Sequence, residues 1–273
     1  MLAVHPGSFL FVTLDSCRYD TFAAAATPNF DLIAHAHCAM APGNYTYGSH
    51  AAMFVGFTPG ISSVREPFLN PKFGRIFKMA YPRPLYSRRD FVSLDGANIV
   101  DGFGRLGYRT IGTGAVGWFD PAAPTTNVLT GSFQRYFYPG DTWSLRRQVE
   151  FVEQELGKLA VDEPAFVFIN VGETHVPYFH EGATWSPELN PCVPFYEGND
   201  AAECRRRQTA CLEWVDRELG GLLERFTGAN VLVCGDHGDA WGEDGVWEHG
   251  IHHQKVLEVP LLFRLQHQPI TRP

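Results

Sequence analysis

The sequence predicts an α/β fold: a three-layer α/β/α sandwich around a mostly parallel central sheet. Three observations predict it. Apolar runs that end in polar residues recur along the chain, as in SFLFVTLD (8–15) and PAFVFINVGETH (164–175). Strands buried on both faces read this way. Between them lie stretches with apolar residues at helical spacing, such as SLRRQVEFVEQELGKLA (144–160). The two kinds of segment alternate, which implies an open sheet covered on both sides.

The first run closes on Asp15. TPNFDLIAHAHCA (27–39) opens on Thr-Pro and keeps helical spacing, so a helix is expected there, with His35 and His37 as structural residues on it. HAAMFVGF (50–57) reads as a short helix stopped by TPG. IVDGFGRLGYRTIGTGA (99–115) reads as helix, glycine turn and strand. The stretch 144–160 places Leu145, Val149, Val152, Leu156 and Leu159 on one helix face. Residues 179–203, rich in Pro, Gly, Asn and Glu and without a period, read as a long loop or lid. A long helix (202–226), a strand ending in GDHGD (229–245) and a last strand (256–265) complete the chain. No repeat or domain boundary interrupts it, so one domain over 1–273 is expected.

Composition narrows the partners. Of 273 residues, 45% are hydrophobic and 19% charged, a globular balance. A net charge of -8 without a basic run argues against nucleic acid, and CRRRQ (204–208) reads as a solvated helix face. No run reaches the ~20 apolar residues of a membrane span. The N-terminus lacks a basic region ahead of its apolar run and reads as a strand rather than a signal peptide. Six scattered cysteines without a CxxC pair read as reduced thiols. A cytoplasmic protein without a membrane partner is the expectation.

Open α/β sheets bind ligands at the carboxyl ends of their strands. Three strand ends here carry Asp15, His175, and Asp236 with His237. Asp15 alone also fits a helix N-cap. Asp236 and His237 stand between glycines that leave room for an ion near the backbone, the alternative being a polar turn. A carboxylate with an imidazole suits zinc or manganese better than calcium or magnesium. Thr46, in GNYTYGSH (43–50), is a candidate oxygen ligand or a helix cap. A metal-bound hydroxyl has a lowered pKa and becomes a usable nucleophile. The helix near His50 adds N–H groups for an anion. His249, in EHGIHHQ, and His175, in GETHVPY, are candidates to protonate a leaving oxygen or bind a substrate oxygen.

The order of motifs resembles the alkaline phosphatase and sulfatase superfamily over nearly the whole chain. VTLDSCRYD resembles its opening strand with a metal carboxylate, TPNFDLIA the segment TPNLDxLA, and TYGSHAAMFVGFTPG the nucleophile loop and helix. LGYRTIGTG resembles GYxT, THVPY resembles PHxPY, VDRELGGLLE resembles LDxxIGxLL, GDHGD resembles the SDHG metal motif, and LEVPLLF the closing RVPLI strand. The resemblance implies an alkaline phosphatase-like fold and a metal-dependent esterase. It puts Thr46 at the nucleophile position, where sulfatases need a cysteine or serine followed by proline and arginine. Gly48 and His50 occupy those later places, so conversion to formylglycine is not expected. Threonine nucleophiles occur in relatives such as nucleotide pyrophosphatase/phosphodiesterases, whose loop reads TFPNH, and in phosphoethanolamine and lipoteichoic-acid transferases. The transferases also use histidines like His175 and His249.

The departures set limits. Val171 stands where two-zinc phosphodiesterases keep an aspartate, so a full second metal site is not expected. GTGAVGW lacks the lysine and histidine that sulfatases place there. The C-terminal subdomain of sulfatases is not expected. Together these readings give a metal-dependent hydrolase or transferase of phosphate monoesters or phosphodiesters acting on a small anionic ester. Asp15, Thr46, Asp236 and His237 hold one zinc or manganese ion; Thr46, His175 and His249 are catalytic; Asn44 and His50 contact substrate oxygens. The alternatives are a sulfate-ester or phosphonate hydrolase, or a silent anion-binding relative. Tyr178, Phe179, Trp185, Phe195 and Tyr196 are expected to shape the pocket without revealing the substrate.

Overall fold

The apolar run at 8–15 becomes the middle strand of a seven-stranded sheet. The computed structural model describes residues 3–56, 98–123 and 126–266. Its strands are β1 (Phe9–Leu14), β2 (His37–Met40), β3 (Arg109–Gly114), β4 (Arg135–Phe137), β5 (Ala165–Val171), β6 (Asn230–Gly235), β7 (Ala240–Trp241), β8 (Trp247–Glu248) and β9 (Glu258–Arg264). Its helices are α1 (Tyr19–Phe22), α2 (Pro28–Asp31), α3 (Thr46–Val55), α4 (Ile99–Arg105), α5 (Asn127–Thr130), α6 (Leu145–Leu156), α7 (Ala201–Arg225) and α8 (Gln254–Leu257). The sheet order is β2-β9-β6-β1-β5-β3-β4, and β7 with β8 forms a separate ribbon. β1 pairs in parallel with both β5 and β6, and β3 in parallel with β5 and β4.

Side chains alternate across a strand, so each central strand feeds two cores. Leu10, Val12 and Leu14 of β1 pack with Val167 and Ile169 of β5 in a core completed by Leu145 and Val152 of α6 and by Leu212, Val215 and Leu219 of α7. Phe11, Phe166 and Phe168 point the other way, onto Tyr47 and Phe54 of α3, Val100 of α4 and Leu129 of α5. Phe168 meets Phe54 edge-on at 5.0 Å and Phe11 at 5.4 Å. Such pairs add about 0.5–1.5 kcal/mol each beyond area burial. Helices on both faces give the expected three layers, with β5 buried along its whole length and the edge strand β4 partly exposed.

Two local expectations change, and two are met with added detail. The stretch 27–39 holds only the short α2 and then turns into the edge strand β2, with His37 exposed on it. The helix expected at 50–57 begins four residues earlier, at Thr46, and ends at Val55, with Gly56 in a left-handed conformation (φ 67°) as its cap. Phe57 and the TPG stop signal lie outside the described residues. The last strand, β9, is present but runs antiparallel to β6, with β2 antiparallel beside it. Residues 179–200 contain no helix or strand, and α7 starts at Ala201, where Asp200 accepts hydrogen bonds from the N–H groups of Ala202 (2.9 Å) and Glu203 (3.0 Å). The loop is pinned rather than loose. Asn199 and Val193 exchange two hydrogen bonds (2.8 and 2.7 Å), and Arg207 donates to the carbonyl of Leu189 (2.7 Å).

Candidate active site

Parallel pairing of β1 with β5 and β6 brings their carboxyl ends side by side. Asp15 follows β1, Asp236 and His237 follow β6, and Asn170 lies near the end of β5. Asp15, Asp236 and His237 are all fully buried. Each offers a ligand atom within 4.8 Å of the others. Thr46, at the first turn of α3, completes the group: its Oγ1 donates to Asp15 Oδ1 (3.4 Å) and lies 3.3 Å from His237 Nε2. The N-cap position of α3 belongs to Tyr45, and the Thr46 hydroxyl turns to Asp15 and His237 instead, so the cap alternative for Thr46 falls away.

The donor set fits a divalent cation. Asp236 Oδ1 accepts from the backbone N–H groups of Ser16 (3.1 Å) and His237 (2.8 Å), while its buried Oδ2 accepts no hydrogen bond. His237 Nδ1 donates to the carbonyl of Gly238 (3.0 Å), which leaves Nε2 with its lone pair toward the centre. Burial and the charge of Asp15 push the Asp236 carboxyl well up, and burial, helped by His249, pushes His237 down to about 4. Two buried carboxylates and a neutral imidazole converge, and positive charge is what this arrangement lacks. The glycines of GDHG have another use than the one expected. A Cβ on Gly238 would sit 2.3 Å from the carbonyl of Lys255, so that glycine admits the neighbouring chain rather than an ion.

His249 and His175 reach the same place. The His249 ring lies 4.4 Å from that of His237 and 5.2 Å from that of His175, centre to centre. Its Nδ1 donates to Asp239 Oδ1 (2.7 Å), and the Tyr178 hydroxyl donates to Asp239 Oδ2 (2.7 Å). Although burial opposes the charged ring, Asp239 outweighs it and raises His249 to about 9. His237, Asp239 and His249 also satisfy the 4.8 Å ligand spacing, but both Asp239 oxygens already accept hydrogen bonds. His175 donates Nδ1 to the carbonyl of Val176 (2.8 Å). The backbone carbonyl of Asn44 accepts from Gly250 N–H (2.7 Å), which ties the Thr46 loop to the His249 loop.

His50 requires correction. Its ring is fully buried beneath the site, edge-on to Phe119 (5.0 Å) and Phe168 (5.8 Å). Nδ1 donates to the Thr46 carbonyl (2.7 Å) and Nε2 accepts from the Thr13 hydroxyl (2.8 Å). Both ring nitrogens are committed, so His50 holds the start of α3 instead of touching substrate oxygens. Burial lowers it to about 4, which keeps it neutral.

Several residues of the site escaped the sequence. Asn170 donates Nδ2 to Asp15 Oδ2 (3.2 Å) and Thr13 Oγ1 (3.3 Å). Its signal was an amide in an otherwise apolar strand, FVFINV. Thr174 Oγ1 donates to the Asp15 carbonyl (2.6 Å), and Gln208 Nε2 to the carbonyls of Ser16 (2.9 Å) and Thr174 (3.1 Å). Arg18, almost fully buried, forks onto Asp20 (2.8 and 2.7 Å), pairs with Glu243 (2.8 Å) and lies 4.1 Å over the Trp241 ring. It also donates to the carbonyl of Asp239 (3.2 Å), so it fixes the loop that carries the His249 partner.

No protein-family model matches the sequence, and no curated protein matches it significantly. Solved structures do resemble it. The C-terminal periplasmic domain of phosphoethanolamine transferase EptC from Campylobacter jejuni is 15% identical, with a TM-score of 0.60 over 96% of this chain and 80% of that one. The zinc complex of the C-terminal periplasmic domain of EptC from Escherichia coli is 14% identical (TM-score 0.60; 95% of this chain, 72% of that one). Phosphonate monoester hydrolase of Agrobacterium radiobacter is 15% identical (TM-score 0.61; 95% and 68%). The chain has the alkaline phosphatase superfamily fold. The cytoplasmic expectation is overturned, since two of these neighbours are periplasmic domains. All six cysteines are free, and five of them are buried.

Proposed function

We propose that the chain is a divalent-metal-dependent hydrolase or transferase of phosphate monoesters or phosphodiesters, with Thr46 as nucleophile and a small anionic ester as substrate. The carrying observation is the position of Thr46 Oγ1. It sits at the start of α3, 3.4 Å from Asp15 and 3.3 Å from His237, beside the unpartnered Asp236 Oδ2. Asp15, Thr46, Asp236 and His237 would hold a divalent cation, whose charge would acidify the hydroxyl and stabilise phosphoryl oxygens. Zinc or manganese suits these donors, and the E. coli neighbour contains zinc.

Thr46 Oγ1 gives its proton to Asp15 Oδ1, the acceptor it already bonds, and attacks phosphorus in line; a new P–O bond forms and the bond to the leaving oxygen breaks. N–H groups at the first turn of α3 face the phosphoryl oxygens. His249, held through Nδ1 by Asp239, offers Nε2 and its proton to the leaving oxygen. His175 flanks it and contacts the substrate. Water or a second alcohol then releases the phosphoryl group from Thr46.

The test is Thr46→Ala. We expect turnover to fall by at least ~10³-fold while metal content, measured on the purified protein, is retained through Asp15, Asp236 and His237; unchanged activity would refute the covalent route. Likeness to phosphonate monoester hydrolase and to a sulfatase that is 17% identical favours phosphonate or sulfate-ester chemistry as the second reading. Nitrophenyl phosphate, phosphodiester, phosphonate and sulfate compared at one metal concentration separate the two. A protein that binds no metal and cleaves none of them is a silent relative.

A further inference from the structure

A cavity of about 600 Å³ opens beside His249. One wall is the turn carrying Phe195, Tyr196 and Glu197, and the other carries Trp247 and Ile251. His249 lines it, and the His249 ring lies 4.4 Å from that of His237, so the cavity adjoins the reaction centre through this residue. The aromatic wall is built rather than incidental. The Asn199–Val193 clamp closes the turn, and Phe195 is held at a positive φ (61°), which is costly for a bulky residue. Its ring is fully exposed. A Cβ on Gly198 would meet the Tyr196 ring at 2.6 Å, so glycine there lets that ring fold back against the turn.

Apart from His249, the lining carries one formal charge, Glu197, and no lysine or arginine among the described residues. Beyond His249, an anionic sugar or a polyanionic chain meets no counter-charge and faces the acid. Three aromatic rings and an isoleucine offer apolar area instead. We infer that this cavity takes the alcohol half of the ester and selects an uncharged alcohol with an aryl or bulky alkyl body. The inference rests on the phosphoester reading above.

The test compares ethyl phosphate, 2-phenylethyl phosphate and glycerol 3-phosphate, whose leaving groups are all unactivated alcohols. We expect kcat/KM for 2-phenylethyl phosphate to exceed that for ethyl phosphate by about 10–100-fold, with glycerol 3-phosphate no better than ethyl phosphate. Trp247→Ala should collapse that ratio by about tenfold and Trp247→Phe should restore most of it. Phe195→Ala, at a fully exposed ring, lowers the ratio without threatening the fold. Equal kcat/KM for the three esters, or a preference for glycerol 3-phosphate, overturns the inference. If no ester is cleaved, the phosphoester reading has failed and the cavity is tested alone. Titration with 2-phenylethanol should quench fluorescence in the parent protein and not in Trp247→Phe; no saturable quench overturns the cavity's assignment.

Discussion

Asp239 shows how one buried carboxylate sets the state of a neighbour. It is fully buried, and its two oxygens are shared between Tyr178 and His249. Trp241 donates its indole N–H to the same Tyr178 oxygen (2.8 Å), so the carboxylate is fixed from behind. His249 is raised to about 9, and a histidine raised in this way contributes stability below its unfolded pKa of about 6.5 that is lost as pH rises through 9. Asp239→Asn removes the charge and keeps the size. We expect kcat to fall about 10–100-fold, with the alkaline limb of the pH–rate profile moving down from near 9 toward the ordinary histidine range of about 6.5. A pH–rate profile with its alkaline limb unmoved would show that Asp239 only fills space. This residue was unreadable in the sequence because Tyr178 is 61 positions away. Asp15, Thr46, Asp236 and His237 were readable because each ends or begins an element. His50 looked like a substrate contact because sequence spacing does not show which side of α3 faces Thr13.

Helix α6 has a cap that comes from another part of the chain. Ser144, at its N-cap position, makes no side-chain capping bond; Glu173 Oε1 instead accepts from Leu145 N–H (2.8 Å) across the loop that follows β5. Glu173 is fully buried, its Oε2 has no partner, and burial pushes its carboxyl up to about 8. The folded state therefore holds a proton that the unfolded state gives up near 4.5, and stability falls as pH rises from about 4.5 to 8. Glu173→Gln removes that penalty. We expect the variant to gain roughly 1–3 kcal/mol over the parent at pH 8, and the gain to shrink toward pH 5. Urea unfolding at the two pH values measures it, and a constant difference would show that Glu173 is ionised throughout. Elements were legible in proportion to their length and burial. β1, β5 and β6 announce themselves as apolar runs, whereas β2 and β4 have four and three residues and pair at the edges. β2 reads as helix in the sequence because apolar residues in HAHCAM also fit helical spacing. The direction of β9 is set by its pairing with β6, which leaves no trace in its own residues.

At the scale of the molecule, the sheet converges its charges on one spot and makes the fold depend on what binds there. β1 and β6 are neighbours in register, Leu14 opposite Gly235, so Asp15 and Asp236 are forced together in the interior. Asp236 is pushed well above the ordinary aspartate value, by burial and then by Asp15. Without a cation, the folded state resists ionising this carboxyl while the unfolded state does not. Its stability must fall as pH rises above about 4, the unfolded aspartate value. His237, lowered to about 4, is already neutral there and free to ligate. A divalent cation removes the penalty by binding the ionised form, so its contribution grows with pH. We expect chelator-stripped protein to melt about 5–10 °C below protein with zinc or manganese at 100 times its Kd at pH 7.5. The gap should narrow at pH 5. Asp236→Asn should abolish the metal-dependent shift and raise the melting point of the stripped protein, because the buried charge is gone. Calorimetry of both proteins at both pH values decides it. A melting point indifferent to metal, or a gap that widens toward pH 5, would mean that the carboxylates are neutralised by something other than a bound cation.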